Sequence, residues 1–259
     1  MGGSVVSESI LVAKNVGMNF GGFVALKGVS VAFEKGKLTA VIGPNGAGKS
    51  TFFNIISGAF APTAGSVEFD GRDITGTPSH EFARIGIAKS FQITNVFPEL
   101  SARENVRVAV QALTERFQLF YSRDSYRNLI GKADELLALV GLGERRTQRA
   151  RELAHGEQRS LEIAMALASD PKLLLLDEPT AGMSPEETRD MMTLIARLAE
   201  QRTIVLVEHK MKLVMGLAQH LVVLHHGELL AQGTADEIRS NEDVKRVYLG
   251  QGKTTGGHS

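Results

Sequence analysis

The chain of 259 residues contains no cysteine and no tryptophan, and its 29 Lys and Arg are matched by 29 Asp and Glu. Without a thiol there is no disulfide, no thiolate zinc site and no cysteine nucleophile. A secreted, disulfide-stapled scaffold is therefore excluded, and a reducing compartment fits. A formal net charge of +0 leaves no basic footprint of the kind a nucleic-acid surface needs, so no nucleic-acid partner is expected. Long apolar runs are lacking too. Leu173–Leu176 is stopped by Asp177, far short of the ~18 apolar residues of a membrane span. The opening MGGSVVSES has no basic-then-apolar order of a signal peptide, and Val6 stands where a myristoylation motif needs Ser or Thr. Both ends, 1–8 and the Gly/Thr-rich 251–259, are expected to be disordered.

What is present is enough apolar residue, 43%, for one large domain or two small ones. Short β-branched runs alternate with longer helical patterns, which predicts βαβ units and an α/β fold with a mostly parallel sheet. The clearest strands are Leu38–Ile42, Leu173–Leu176, Thr203–Val207 and Leu221–Leu224. LLLL and TIVLV are apolar without alternation, as strands covered on both faces must be. Between Ile93 and Arg151 strand-like runs stop, and ENVRVAVQALTERFQLF and NLIGKADELLALVGL show helical spacing. A helical subdomain, about 93–155, is therefore expected as an insert in the core.

The segment GPNGAGKST, Gly43–Thr51, fits G-x-x-x-x-G-K-[ST], a pattern whose fixed positions coincide by chance in about one chain in a hundred of this length. It follows the strand LTAVI and opens a helical run, the context a phosphate-binding loop requires. Gly43, Pro44, Asn45, Gly46, Ala47 and Gly48 let backbone N–H groups converge on phosphate oxygens, beside a helix N-terminus. Lys49 reaches the β/γ-phosphates, Ser50 supplies a hydroxyl to Mg²⁺, and Thr51 continues the helix. A second element is KLLLLDEP. Ligands of open α/β sheets lie at the carboxyl ends of strands, so Asp177 is expected to orient the Mg²⁺ shell and Glu178 to polarise the attacking water as general base. Gln92 and His209 also follow strand-like runs. Alone, each is more often a turn or cap residue; at this edge, an amide for metal or water and an imidazole for the γ-phosphate become chemically apt. His225 and His226 precede Gly227 and predict a tight turn.

In combination these segments resemble the ATP-binding subunit of an ABC transporter, from Ile10 to Gly250. GPNGAGKST matches that family's Walker A, LLLLDE its Walker B, Gln92 its Q-loop and His209 its switch histidine. LAHGEQR, Leu153–Arg159, stands where the family has its LSGGQ signature, and Ala181–Ser184 where it has its D-loop. The resemblance implies a P-loop NTPase fold with an added antiparallel β region, forming a single nucleotide-binding domain over 1–259. It implies ATP and Mg²⁺ as ligands and Phe20 stacked on adenine. It further implies a head-to-tail dimer with a second ATPase subunit, identical or paralogous, in which Ala154, His155, Gly156 and Glu157 face the other subunit's nucleotide. Permease subunits, a solute-binding protein and a place on the cytoplasmic face of the plasma membrane complete what the family implies.

Within the family, L-A-H-G, AGMSPEET, EHKMKLVMG and EDVKRVYLG are most similar to the branched-chain amino acid (Liv-type) and urea/amide importer group. The last of these also resembles the ATPase of lipopolysaccharide export, the alternative for substrate. A soluble ABC ATPase is the alternative without a membrane partner, although such chains usually carry two cassettes or a long coiled-coil insert. No N-K-x-D guanine motif supports a GTPase. The sequence departs from the family at Ala154, His155, Glu157 and Ser184. Ala154 removes a hydroxyl and cannot cap a helix, Glu157 places a carboxylate where an amide is usual, and His155 is expected to donate a ring N–H in place of the lost hydroxyl.

Overall fold

The computed structural model describes residues 8–90, 96–114 and 123–250. The expected terminal disorder concerns, Glu8 apart, residues outside that set. In chain order the strands and helices begin with β1 (Ser9–Phe20), β2 (Phe23–Glu34), β3 (Leu38–Ile42), α1 (Lys49–Ile56), β4 (Ala64–Phe69), β5 (Arg72–Asp73), α2 (Ser79–Ile85) and β6 (Ile87–Ser90). They continue with α3 (Ala102–Thr114), α4 (Arg123–Leu139), α5 (His155–Leu167), β7 (Leu173–Asp177), α6 (Pro185–Ala199) and β8 (Thr203–Val207). The chain closes on α7 (Met211–Val214), β9 (His220–His225), β10 (Glu228–Gly233), α8 (Ala235–Ser240) and α9 (Glu242–Gly250). These divide into two compact units, one from residues 1–79 with 201–259 and one from 80–200.

The first unit holds two sets of strands. β2, β1, β4 and β5 form an antiparallel sheet in that order. In β2, buried Leu26, Val29, Val31 and Phe33 are interleaved with exposed Lys27, Gly28, Ser30 and Ala32, the pattern of a sheet with one solvated face. β3 runs parallel to β8 on one side and β9 on the other, and β10 returns antiparallel to β9. Every residue of β3 and β8 is buried, in keeping with sequences that are apolar apart from Thr39 and Thr203 and show no polar alternation. Helix α1 packs on β1, β2 and β8. Its Phe52 and Phe53 are fully buried, and Phe52 stacks on Phe33 at 6.3 Å; truncating such a ring costs about 3–5 kcal/mol. The turn foreseen at His225 and His226 joins β9 to β10, with His226 at φ 50° and Gly227 at φ 78°.

The second unit pairs β6 with β7 in parallel and packs α3, α4, α5 and α6 on one another in sequence order and α3 on α5. β7 is buried throughout. The helical spacing read in the sequence appears as α3 and α4, whose Val106, Val110, Ala133, Leu136 and Leu137 are buried. Both lie within the expected insert. Among the described residues no helix is long and apolar enough to cross a membrane.

Candidate functional site

The parallel register sets the phosphate loop. Val41 of β3 lies opposite Val207 of β8 and Ile42 opposite Val223 of β9, so Gly43 and the residues after Val207 leave one carboxyl-terminal edge together. Glu208 N–H donates to Val41 O at 3.3 Å. Gly43, at φ 154°, could carry no side chain: a Cβ would lie 2.2 Å from Leu224 O. Gly48 precedes α1 at φ 96°, and a Cβ there would meet Leu26 Cδ2 at 2.8 Å. Gly227 N–H donates to Ala47 O at 3.1 Å, so the β9–β10 turn braces the loop from behind. Asn45 and Gly46 are exposed at its tip.

Lys49, only 6% exposed, donates from Nζ to Gly43 O at 2.8 Å and Pro44 O at 2.9 Å. The loop's own carbonyls therefore hold its ammonium over the loop. Ser50 is exposed in the first turn of α1, a turn that contains no acidic residue. A cation beside an uncompensated helix N-terminus suits an anion. His209 lies two residues beyond β8, its side chain 43% exposed and its Nδ1 3.9 Å from the buried Glu208 carboxylate. Phe20 closes β1, opposite Phe23 across the Gly21–Gly22 turn. It is half exposed, and its ring meets Phe60 edge-on at 5.7 Å.

In the second unit, Ser90 of β6 lies opposite Leu176 of β7, so the chain toward Gln92 and the pair Asp177, Glu178 leave the same edge. Gln92 itself lies outside the described residues. The Asp177 side chain is buried, and Glu178 adopts a left-handed φ of 41°, a strained conformation for a residue with a Cβ. Sequence reasoning missed two neighbours. Lys89 is half-buried; that burial pushes its ammonium pKa down, against an opposing pull from Asp177. Arg159 of α5 donates to Asp177 O at 2.7 Å and to Glu162 Oε2 at 2.6 Å. This largely enclosed guanidinium ties α5 to the end of β7. His155, Gln158, Arg159, Glu162, Glu178 and Ala181 line a small cavity of about 70 Å³.

The segment 153–157 takes its shape from two carboxylates. Ala154, the exposed N-cap of α5, has no side-chain acceptor, yet Glu157 Oε2 accepts from Ala154 N–H at 2.9 Å and Oε1 accepts from Arg145 Nε at 3.2 Å. Glu157 thus turns back on its own helix and pairs with an arginine. Glu187 of α6 supplies the second carboxylate, accepting from Gly156 N–H at 3.0 Å and from Ser184 N–H at 2.9 Å. Those bonds hold its carboxyl below the usual range for glutamate, Ser184 contributing first and Gly156 next. The ring of His155 lies against Gly182, 3.5 Å from where a Cβ would stand. Glu187 lies in AGMSPEET, where Ser184-x-x-Glu187 is the pattern of a capping box, but only the fold brings it to Gly156, 31 positions earlier.

Comparison with known proteins accords with this geometry. Residues 26–181 match the family model described as ABC transporter, and residues 228–254 match one described as branched-chain amino acid ATP-binding cassette transporter. The chain is 41% identical to the high-affinity branched-chain amino acid transport ATP-binding protein BraF of Pseudomonas aeruginosa, over 95% of this chain and all of that one. It is 38% identical to LivG of Escherichia coli, with the same coverage. Among solved structures, an ATP-binding cassette of an ABC transporter in its ADP conformation superposes with a TM-score of 0.83 at 30% identity, covering 94% of this chain and all of that one. A dimeric cassette bound to ADP and Pi, in a post-hydrolysis state, gives 0.73 at 28% identity over 87% of this chain and 98% of that one. With a family model matched over more than half its length and relatives near 40% identity end to end, the chain belongs to the ABC transporter family of ATP-binding cassettes.

Proposed function

We propose that the chain is the ATP-hydrolysing subunit of a membrane importer for branched-chain amino acids or closely related small solutes. The observation that carries the solute class is the match of residues 228–254 to the branched-chain cassette model, on a chain whose curated relatives BraF and LivG are named for that transport. In this reading the whole chain acts as one nucleotide-binding domain, peripheral on the cytoplasmic face of the plasma membrane. It works in a head-to-tail dimer with a second ATPase subunit, against permease subunits served by a solute-binding protein.

The residue roles follow from chemistry. Lys49 and the loop N–H groups bind the phosphates, and Phe20 offers a face to the purine. Ser50 and Asp177 are hard oxygen donors suited to Mg²⁺. Among the described residues no group of three His, Asp or Glu side chains could cage a metal, which fits a cation that binds through one or two protein oxygens together with phosphate. When bound, the metal neutralises charge on the phosphates. Glu178 polarises water, His209 faces the γ-phosphate, and Gln92 serves water or metal.

The test is reconstitution with candidate permeases in liposomes. ATPase stimulation by a solute-binding protein loaded with leucine supports the reading. Stimulation by lipopolysaccharide instead assigns the chain to export, and full activity with no co-purifying membrane protein assigns it to the soluble class.

A further inference from the structure

We infer that Glu187 is a positioning residue whose carboxylate clamps the first turn of α5 to the turn that precedes α6. The segments 153–157 and 181–184 then meet a partner subunit's nucleotide as one piece. The inference rests on the reading of 153–157 as the segment that faces that nucleotide.

Glu187 is the third residue of α6 and forms a capping box with Ser184, its N–H donating to Ser184 Oγ at 3.2 Å while Oε2 accepts from Ser184 N–H at 2.9 Å. A box needs only one carboxylate oxygen. The other, Oε1, leaves its own helix and accepts from Gly156 N–H at 3.0 Å. That N–H is one of the unpaired donors of α5's first turn. The fit is tight: a Cβ on Gly156 would lie 3.2 Å from Glu187 Oε1 and 3.3 Å from its Cβ and Cγ. His155 adds a second contact between the two segments, its ring against Gly182.

Residue chemistry narrows the choice to glutamate. A carboxylate offers two acceptor oxygens and can serve two N–H groups at once. Glutamine has one acceptor and would turn an NH₂ toward the second N–H; aspartate is a methylene short. An ordinary helix cap would tolerate Gln, whereas a clamp cannot. The clamp also decides how α5 and α6 respond to a ligand at either segment, because neither turn can shift without breaking a charge-assisted bond.

The test uses the full-length chain in a Glu178→Gln background and measures ATP-dependent dimerisation by sedimentation, with amide hydrogen exchange at Gly156 and Ser184. Glu187→Ala should raise the ATP concentration for half-maximal dimerisation about tenfold and speed exchange at both amides. Glu187→Gln should give the same dimerisation defect while speeding Gly156 alone, and ATP affinity of the dilute monomer should not change in either. Should Glu187→Ala destabilise the fold, the isosteric Gln variant still decides. Parent-like dimerisation by Glu187→Gln with Gly156 still protected overturns the clamp. Tighter dimerisation does so too, since it would make the carboxylate a competitor of phosphate. Ala154→Asp separates the two layers: it caps α5 but sets a charge toward phosphate, so it should abolish dimerisation. If it dimerises like the parent, the reading of 153–157 fails, independently of Glu187.

Discussion

Glu178 stands in a left-handed conformation, φ 41°, that costs a non-glycine residue roughly 1–2 kcal/mol. The strain falls on the residue proposed to polarise water, which makes its two contributions, backbone and carboxylate, separable. Glu178→Gln should lower ATP turnover about 10²–10⁴-fold with nucleotide binding intact, and turnover at the native rate would remove the assignment. For stability the informative pair is Glu178→Gly against Glu178→Ala. Both lack the carboxylate, but glycine accepts the left-handed backbone, so the Gly variant should be more stable by about 1 kcal/mol in urea denaturation. Equal stability would mean that the backbone relaxes without cost. Lys49 invites a simpler experiment. Its ammonium is already desolvated and held by Gly43 O and Pro44 O, so Lys49→Ala should sharply weaken ATP binding in titration calorimetry. Phe20 is half exposed, and in the proposed role it meets the base by its ring face, so ATP and GTP should bind within about tenfold of one another, ~1.4 kcal/mol, in the same calorimetry.

At the scale of elements, the loop that begins α3 is built around one residue. Asn105 is completely buried. Its Oδ1 accepts from Phe97 N–H at 2.7 Å, and its Nδ2 faces the carbonyls of Phe97, Leu100 and Ser101 at 3.1, 3.3 and 3.0 Å. The turn so fixed leaves Phe97 51% exposed and Leu100 37% exposed. An apolar pair displayed on a rigid turn is suited to a hydrophobic partner, and the proposed partner is the permease. Charged substitution at Val96 and Phe97 should abolish ATPase stimulation by the permease while basal hydrolysis persists; unchanged stimulation would place the docking surface elsewhere. Asn105→Ala, by taking the acceptor from Phe97 N–H and leaving a void at a fully buried position, should cost about 2–4 kcal/mol in denaturant titration.

Elements of this kind differ in how legible they are. β3, β7, β8 and β9 could be read directly, because strands buried on both faces need unbroken apolar runs, and α3 and α4 because their periodicity is strong. β1 gives no such signal: its pairing with β2 shifts register at several points, and each shift breaks the alternation that would mark a strand. The loop Gly43–Thr51 was legible as chemistry because local backbone requirements dictate its glycines. Arg159, Lys89 and the reach of Glu187 to Gly156 were not, since each acts on a residue that only tertiary folding brings near. The partner of Glu157 was hidden for the same reason, since Arg145 pairs with it across 12 positions.

For the whole molecule, the order of the chain matters as much as its motifs. The second unit is contiguous over 80–200, whereas the first is assembled from both ends. β3, which delivers the phosphate loop, takes both its neighbours, β8 and β9, from residues 203–225. Leu224 O and Gly227 N–H, also from the carboxyl-terminal part, close around Gly43 and Ala47. A chain that ends at Glu200 keeps 43–51, 153–157, Asp177 and Glu178, yet leaves β3 without either parallel partner and its backbone groups without acceptors or donors, which a buried strand cannot sustain. Such a fragment should bind no ATP, as measured by fluorescence of a labelled nucleotide. Its 80–200 portion should still resist limited proteolysis, because that unit's β6–β7 pairing and the packing of α3 to α6 are all internal to it. Adding 201–259 as a separate peptide should restore binding if sheet completion is the missing term. A 1–200 fragment that binds ATP with the affinity of the full chain would show that the loop holds its shape without β8 and β9, and would move the origin of nucleotide affinity from the sheet to the loop alone.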